Sequence, residues 1–347
     1  MGESMKRRAL VFAAPREVRV AEEPLADPAP GEITVEAAVS AVSPGTERLV
    51  YRGELPPDLP LDDTLPTLAG KAAYPLRYGY AVVGRVARRG AEVPEDWEGK
   101  RVFCFHPHAS RMNVPLEAAV AVPEDLDTRD AVFLAALETA LTLAWDGRPL
   151  AGETAVLFGQ GIVGLLTAAL LSGQGLGRLV TVDPVAGRRE ASRAAGAHVS
   201  LDPTEVAAHL ARETAGRGAD LVYELSGSPA VLAEAIAACG FGGRVVIGSW
   251  YGLRRAPLDL GGRFHRSRIR LIASQVSTLP GHVALRWDRR RRREAAWEFI
   301  RRLRPSRFIG REVPLEQAGE VYAELDDGPG PVLQVLFTYG RMPSCTP

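Results

Sequence analysis

Cysteine, histidine and net charge are all scarce in this sequence. Its 347 residues include three cysteines, six histidines and 42 basic residues that are balanced by 42 acidic ones. Cys104, Cys239 and Cys345 are widely spaced and form no Cys-x-x-Cys pair, which argues against a disulfide framework and a cysteine-rich zinc site. A balanced charge provides no field that would attract nucleic acid. We therefore expect a protein of the reducing cytoplasm that binds no nucleic acid.

Long apolar runs are also missing. The longest ones, such as residues 135–137 and 165–171, end far short of the ~20 residues that a transmembrane helix requires. Residues 1–7 lack the apolar run of a secretory signal. We expect neither a membrane span nor export.

What the sequence does contain is typical of a globular protein with two domains. Hydrophobic residues make up 46% and charged residues 24%, which excludes a disordered chain. A chain of 347 residues exceeds the usual domain size of roughly 100–200 residues. Two hydrophobic cores are therefore expected.

The pattern changes near residue 150. Before it, the short β-rich runs 33–39, 81–86 and 101–105 alternate with turns, and five prolines in residues 54–78 predict a long irregular loop. From Thr154, apolar strands alternate with helices, as a parallel sheet covered on both faces requires. We predict an α/β protein in which residues 148–285 form a doubly wound domain. Residues 1–147 and 286–347 form the β-rich domain.

An arginine run at residues 289–293 leads into apolar residues at helical spacing. Ala296, Phe299, Ile300 and Leu303 predict an amphipathic helix. No aromatic platform or second basic segment accompanies the arginines, so we interpret them as a solvated helix face.

A glycine-rich turn after a predicted strand indicates a dinucleotide site. The segment comprises Gly159, Gln160, Gly161, Ile162, Val163 and Gly164. In this context the glycines permit a tight turn, close approach of a pyrophosphate and close packing of the following helix, whose N-terminus binds the anion. Asp183 ends the next strand, where a carboxylate can accept hydrogen bonds from the adenosine ribose. This favours NAD over NADP, although Arg188 and Arg189 lie close enough in sequence to accommodate a 2′-phosphate.

Two later strand ends are expected to contact the nicotinamide half of the cofactor. They carry Ser226 and Gly227 in one turn and Gly248, Ser249 and Trp250 in the other. The carboxyl ends of parallel strands meet at the ligand-binding edge of such a sheet. Ordinary turn chemistry would also explain these serines and glycines, so both interpretations stay open.

The whole chain resembles the medium-chain dehydrogenase/reductase superfamily, which implies a GroES-like catalytic domain and a Rossmann cofactor domain. Zinc enzymes of that superfamily carry a Cys-x-Thr/Ser-Asp element and a Gly-His-Glu-x-x-Gly element. Here these correspond to residues 44–47 and 79–84, so Pro44, Tyr80 and Ala81 replace two ligands and a glutamate. The cysteines of the structural zinc lobe are also absent. The resemblance therefore implies a zinc-independent member with no metal.

Within the superfamily, the segment from Ser43 to Gly53 is similar to bacteriochlorophyllide dehydrogenases and to a group of bacterial relatives that also lack zinc. The pairs Glu138-Thr139 and Ser274-Gln275 are most similar to the latter group. Ser274 and Gln275 are accordingly assigned to the cofactor site.

Without a metal, side chains alone must polarise the substrate oxygen and move a proton. The resemblance implies Thr46, Tyr80 and Glu138 as the catalytic residues. Each has an alternative: a helix cap for Thr46, a core phenol for Tyr80 and a helix-face residue for Glu138. His106 and His108 suggest another metal site, but we interpret them as ordinary polar residues of a β-turn.

The expected function is hydride transfer between NAD(P) and a secondary alcohol or ketone of a small-molecule metabolite. Two alternatives stay open: a redox-neutral isomerase or epimerase that retains its NAD, and a nucleotide-binding protein without activity. We expect a homodimer.

Overall fold

The computed structural model describes residues 5–62, 64–328 and 330–340. These residues form two compact units. The first contains the chain up to Ala135, Ile300–Gly328 and the described residues from Gln334 onward. The second contains Ala136–Phe299 and the adjoining segment that ends at Leu333.

The first unit begins as a β-rich structure. Its elements are β1 (Met5–Ala14), β2 (Glu17–Leu25), β3 (Glu32–Ala41), α1 (Pro44–Arg52), β4 (Val82–Arg89), β5 (Arg101–Cys104), β6 (Arg111–Pro115), β7 (Ala119–Ala121) and α2 (Thr128–Ala131). The proline-rich residues 54–78 contain a single 3-10 turn, Pro66–Leu68, within their described part. A proline removes a backbone donor and fixes φ, which explains why neither helix nor strand extends through this loop.

The second unit is a parallel sheet between helices. Its elements are α3 (Leu134–Gly147), which starts at the end of the first unit, β8 (Thr154–Phe158), α4 (Ile162–Ser172), β9 (Arg178–Val182), α5 (Ala186–Ala194), β10 (Val199–Leu201), α6 (Val206–Glu213), β11 (Ala219–Glu224), α7 (Val231–Ala238), β12 (Cys239–Ile247), β13 (Arg270–Ala273) and α8 (Arg289–Leu303), which ends in the first unit. The chain then returns to the first unit through β14 (Ile309–Pro314), α9 (Ala318–Asp326) and β15 (Gln334–Thr338).

Antiparallel pairing dominates the first unit. β1 pairs with β2, and a second sheet has the order β14-β15-β3-β4-β5-β7 with β6 also paired to β3. A buried core lies against this sheet and includes Ile33, Val35, Val82 and Met112. Alternate residues of β3 and β4 therefore provide the inward face that the period-two pattern predicts.

The sheet of the second unit has the order β10-β9-β8-β11-β12-β13, and all of its pairs are parallel. Val156 and Phe158 of β8 belong to one core cluster, whereas Ala155 and Leu157 belong to another. Both faces of the sheet are thus buried, as in a doubly wound fold. The predicted class is confirmed: an α/β protein with a Rossmann sheet and a β-rich, GroES-like domain.

The units divide at Ala135/Ala136 and Phe299/Ile300, whereas the sequence predicted boundaries at 147/148 and 285/286. The difference arises because α3 and most of α8 pack together within the second unit. Trp145 and Trp287 have ring centroids 4.8 Å apart. Glu138 and Arg292 form a buried ion pair at 3.0 Å. These contacts join segments that are far apart in the sequence, so no local sequence pattern predicts them.

The amphipathic helix is present as α8, and Ala296 and Ile300 are fully buried. The prediction of a solvated arginine face is wrong for Arg292, which is only 5% exposed. Its guanidinium is buried because Glu138 supplies an opposite charge.

Cys104 and Cys239 are buried free thiols, and Cys345 lies outside the described residues. Across residues 5–62, 64–328 and 330–340, no helix is long and apolar enough to cross a bilayer.

Candidate active site

The turn between β8 and α4 has the geometry that its glycines predicted. Gly159 has φ +90°, and a Cβ there would lie 2.6 Å from backbone atoms of Leu225 and Ser226. A Cβ at Gly164 would lie 2.0 Å from the Gly159 carbonyl oxygen. Gly161, in contrast, faces open space, with no atom within 4 Å of such a Cβ. The turn is therefore closed towards the protein and open at Gly161, as a cradle for a pyrophosphate requires.

The helix N-terminus beside this turn provides the anion-binding groups. Gly161 is the N-cap of α4, and Leu165 N–H donates to its carbonyl at 2.9 Å. The N–H groups of Ile162, Val163 and Gly164 belong to the first helical turn, whose donors have no intrahelical acceptor. Together with the helix dipole, these donors suit a phosphate.

Gln160 fixes the turn to the next strand. Its side chain is fully buried, and its backbone N–H donates to Asp183 Oδ2 at 2.8 Å. Its Nε2 donates to the Gly159 carbonyl at 3.0 Å. Its Oε1 is buried without a hydrogen-bond partner. A buried acceptor of this kind next to the cradle is consistent with a ligand that supplies a donor.

Asp183 follows β9 directly and is 3% exposed. Its second oxygen accepts from Val185 N–H at 2.9 Å. The Arg188 side chain donates to the Gly330 carbonyl at 3.1 Å, and the Arg189 side chain donates to the carbonyl of Asp183 itself at 2.7 Å. The carboxylate is thus held by backbone donors and makes no ion pair with either arginine. This arrangement preserves the negative charge that disfavours a 2′-phosphate.

The turns after β11 and β12 are tied to each other. Gly227 N–H donates to Ser249 Oγ at 2.8 Å, and Gly248 N–H donates to the Glu224 carbonyl at 3.0 Å. Trp250 is 38% exposed. The structure thus brings Ser226, Gly227, Gly248 and Ser249 together at the carboxyl edge of the sheet. Sequence reasoning missed Glu224, the buried last residue of β11.

The predicted residues after β13 make local contacts. Ser274 N–H donates to the Ile247 carbonyl at 2.9 Å, and Gln275 Nε2 donates to Ser277 Oγ at 2.9 Å. Arg292 donates to the Val276 carbonyl at 2.7 Å and so holds this segment from α8.

Glu138 is 2% exposed and accepts a hydrogen bond from Arg292 Nε at 3.0 Å. Arg292 also donates to Thr142 Oγ1 at 3.2 Å. Glu138 belongs to the second unit, whereas Thr46 and Tyr80 belong to the first. Glu138 and Arg292 thus form a buried ion pair that connects α3, α8 and the segment at Val276.

Thr46 and Tyr80 meet in the first unit, together with Ser43. Ser43 is the N-cap of α1, and Pro44 occupies its first turn. The Tyr80 hydroxyl donates to Ser43 Oγ, and Thr46 lies close enough to lower the pKa of Tyr80. All three side chains are half-buried. We refer to Ser43, Thr46 and Tyr80 as the hydroxyl cluster.

Burial raises the pKa of Tyr80, an effect that its hydrogen bond with Ser43 and the nearby Thr46 oppose. The phenol therefore stays protonated at neutral pH and is a hydrogen-bond donor rather than a base.

A buried polar network lies behind the hydroxyl cluster, and sequence reasoning missed it. Glu47 is fully buried and accepts from Ser43 N–H at 2.7 Å, from His108 Nε2 at 3.1 Å and from the Tyr322 hydroxyl. His108 Nδ1 lies 2.6 Å from Ser40 Oγ, which lies 2.7 Å from the Tyr339 hydroxyl.

The interpretation of His108 as an ordinary turn residue is wrong, because it is fully buried and bonded through both ring nitrogens. Gly79 packs directly against His108. A Cβ at Gly79 would lie 2.7 Å from His108 Cδ2, so a larger residue would not fit there.

His106 stands apart from this network. Its Nδ1 donates to the Pro107 carbonyl at 2.7 Å. Burial lowers the pKa of His106 to about 4, and the positive charges of Arg7 and Arg77 contribute to the shift. It is therefore a neutral imidazole.

A catalytic zinc does not fit the donors at this site. Pro44 and Ala81 offer no ligand, and the Tyr80 hydroxyl is directed to Ser43. In the part of the chain that the structure describes, no three His, Cys, Asp or Glu side chains are placed to hold a metal ion. Zinc normally needs about three protein ligands in a catalytic site.

Comparison with known proteins finds relatives of this chain among dehydrogenases. Residues 163–287 match the family of zinc-binding dehydrogenases. A relative in Escherichia coli K12, D-guloside 3-dehydrogenase, is 25% identical over 64% of this chain and 65% of its own length, less than two thirds of that protein. The bacteriochlorophyllide A dehydrogenase of Cereibacter sphaeroides, which acts on the 2-desacetyl-2-hydroxyethyl form, is 27% identical over 71% and 75%. The matches support a place in the zinc-binding dehydrogenase superfamily.

Solved structures of the superfamily share the fold. A dehydrogenase of Sinorhizobium meliloti 1021 bound to NADP has a TM-score of 0.76 with 19% identity, over 96% of this chain and 99% of that one. At this identity the likeness shows the fold alone. The glycine turn and Asp183 therefore lie on a scaffold that holds a nicotinamide cofactor in that neighbour.

Proposed function

We propose that the protein is a zinc-independent, NAD-dependent dehydrogenase that transfers a hydride between its cofactor and a secondary alcohol or the corresponding ketone. The hydroxyl cluster carries the proposal. Its Tyr80 and its neighbour Pro44 replace two residues that bind the metal in zinc enzymes of the superfamily, and Tyr80 already donates a hydrogen bond to Ser43. A site that has lost its metal has in this way kept donors for a substrate oxygen.

The second unit would hold the cofactor, which supplies the hydride acceptor when bound. The N–H groups at the start of α4 bind the pyrophosphate, and Gly161 leaves room for its approach. Asp183 accepts from the ribose hydroxyls, and its charge favours NAD over NADP. The turns at Ser226 and Ser249 hold the nicotinamide half.

The hydroxyl cluster would bind the substrate oxygen. The protonated Tyr80 phenol would turn its O–H from Ser43 to the ketone oxygen and stabilise the negative charge that develops as hydride arrives at carbon. In the opposite direction the alcohol loses a hydride, with its two electrons, to the cofactor. Its hydroxyl proton then leaves through Thr46 and Ser43.

The substrate class follows from the secondary alcohol chemistry in the names of the relatives. They include a guloside 3-dehydrogenase and, in Bacillus subtilis, an (R,R)-butanediol dehydrogenase. We therefore place the substrate among polyols, glycosides and related hydroxy compounds.

The test is an assay on metal-free protein. The protein is dialysed against a chelator, its zinc content is measured by mass spectrometry, and NADH formation from NAD is followed with a panel of polyols and glycosides. The expected result is turnover at substoichiometric zinc that Tyr80→Phe lowers by about 10²–10³. Activity that appears only when zinc is restored would contradict zinc independence. Cofactor binding with no turnover on any alcohol or ketone would favour the nucleotide-binding alternative.

A further inference from the structure

Glu224 occupies the switch point of the parallel sheet. From β8 the chain continues to β9 and β10 on one side, and β11, β12 and β13 lie on the other. The crevice between the two halves therefore opens at the carboxyl ends of β8 and β11, where doubly wound sheets bind their dinucleotide. Glu224 ends β11 and is in register with Phe158, the last residue of β8.

The Glu224 carboxylate is buried but fully provided with donors. Its side chain has no exposed surface. Oε1 accepts from the N–H of Ser226 at 2.8 Å and from the Ser226 hydroxyl, and Oε2 accepts from the Tyr251 hydroxyl at 2.5 Å. Among the described residues, the hydrogen-bond partners of the two oxygens are these donors, and none of them is a cation. An acceptor-only arrangement of this kind is the one that an ionised carboxylate makes.

The environment of Tyr251 is coupled to Glu224. The pKa of Tyr251 is raised, first by burial and then by its hydrogen bond to Glu224 and the charge of that carboxylate. Arg254 Nε donates to the Tyr251 carbonyl at 3.3 Å. The charge of Glu224 is thus held in place by hydroxyl and amide dipoles.

We propose that Glu224 is a fixed negative charge at the nicotinamide end of the crevice and that it favours the oxidised cofactor over the reduced one. This inference rests on the proposed function. The oxidised nicotinamide ring carries a positive charge, which the hydride and its two electrons neutralise on arrival at C4. A nearby carboxylate therefore stabilises the oxidised ring and not the neutral reduced ring. By linkage, the same preference shifts the bound equilibrium towards ketone reduction.

The test compares three ligands on three proteins by calorimetry. The ligands are NAD⁺, NADH and ADP-ribose, which lacks the nicotinamide. The proteins are the wild type, Glu224→Gln and the control Glu234→Gln, which removes an exposed carboxylate from α7. At an effective dielectric constant of about 20, an opposite charge in the same crevice changes a binding equilibrium roughly tenfold. We expect Glu224→Gln to weaken NAD⁺ relative to NADH about tenfold, while ADP-ribose and the control stay within about twofold of the wild type.

The variant Tyr251→Phe distinguishes an effect of the Glu224 charge on cofactor binding from an effect of the position of the turn after β11. It removes one donor and keeps the carboxylate, so NAD⁺ and NADH should weaken together and their ratio should stay within about twofold. A structural role for Glu224 would likewise weaken both ligands equally.

Several outcomes would overturn the inference. An unchanged NAD⁺/NADH ratio in Glu224→Gln, or an equal loss of ADP-ribose, would reduce Glu224 to a structural residue. If Glu224→Gln does not fold, the wild type decides, because NADH bound more than about tenfold tighter than NAD⁺ contradicts a stabilising charge. Failure of the wild type to bind any of the three ligands would instead contradict the proposed function, and the inference with it.

Discussion

His108 Nε2 lies 3.1 Å from the carboxylate of Glu47, and both side chains are completely buried. One direction of donation satisfies the whole network. His108 Nε2–H donates to Glu47, the Ser40 hydroxyl donates to His108 Nδ1, and the Tyr339 hydroxyl donates to Ser40. Glu47 also accepts from Ser43 N–H, which connects this network to the hydroxyl cluster. The residues behind the candidate site therefore form one hydrogen-bonded polar network.

Removal of the Glu47 carboxylate should destabilise the protein. Glu47→Ala leaves buried donors of His108, Tyr322 and Ser43 without their acceptor, and one such loss costs about 1–3 kcal/mol. We expect the free energy of unfolding in urea to fall by at least about 2 kcal/mol. The matched control is Glu92→Ala on an exposed turn, with an expected effect within about 0.5 kcal/mol. Equal effects for the two variants would show that the network contributes nothing to stability.

The hydroxyl cluster should act on turnover and not on cofactor affinity. A lost donor to a developing alkoxide typically lowers kcat by about 10²–10³. We expect Tyr80→Phe and Thr46→Ala to show this loss with the alcohol that the panel identifies, and the NAD dissociation constant to remain unchanged. Tyr74→Phe is the control, since its hydroxyl donates to the Val50 carbonyl outside the cluster. Full turnover by Tyr80→Phe would remove Tyr80 from the mechanism.

Asp183 should set the choice of cofactor. Asp183→Ala removes an acceptor for the ribose hydroxyls, and a charge-assisted hydrogen bond is worth about 1.5–3 kcal/mol, so NAD should bind about tenfold or more weakly. NADP affinity should fall less. Asp220→Ala is the control, because Asp220 accepts from Thr154 N–H at the opposite end of β8 and should leave NAD affinity unchanged. Tighter binding of NADP than of NAD by the wild type would contradict this assignment.

His106 should make stability depend on pH. Its folded pKa of about 4 lies below the ordinary value of 6.5, so the unfolded chain binds more protons between these two values. Stability should therefore rise with pH from about 4 to about 6.5, by up to about 3 kcal/mol. His106→Asn should flatten that part of the profile of unfolding free energy against pH, whereas His265→Asn, an exposed control, should not. A wild-type profile that is flat over this range would contradict the buried, neutral imidazole.

The glycine turn shows what local sequence can predict. Gly159, Gly161 and Gly164 lie within six residues, and their roles follow from backbone geometry alone, so the turn, α4 and the parallel sheet were all predictable. The hydroxyl cluster was predicted through the superfamily resemblance, because Thr46 and Tyr80 correspond to positions of the same former site. The structure places the Tyr80 hydroxyl on Ser43, which the sequence had not singled out.

Pairs of distant residues were not predictable. Glu47 and His108 are 61 positions apart, and Glu138 and Arg292 are 154 apart. Arg292 belongs to a run of five arginines in which nothing distinguishes it from its neighbours, and only the position of Glu138 on α3 makes its burial tolerable. Glu224 is similar, since its charge is tolerated because Ser226 and Tyr251 donate to it.

The sequence by itself determined what depends on neighbouring residues: the strands and helices of the second unit, the cofactor turn, and the absence of metal ligands at Pro44 and Ala81. The tertiary structure alone decided which charged and polar side chains are buried and with what partners. The physical reason is that a buried charge is stable only beside its partner, and the partner here is supplied by a remote segment of the chain. The domain boundaries followed the same rule, because α3 is joined to α8 by the Glu138–Arg292 ion pair and to the residues just before α8 by the Trp145–Trp287 contact, neither of which periodicity reveals.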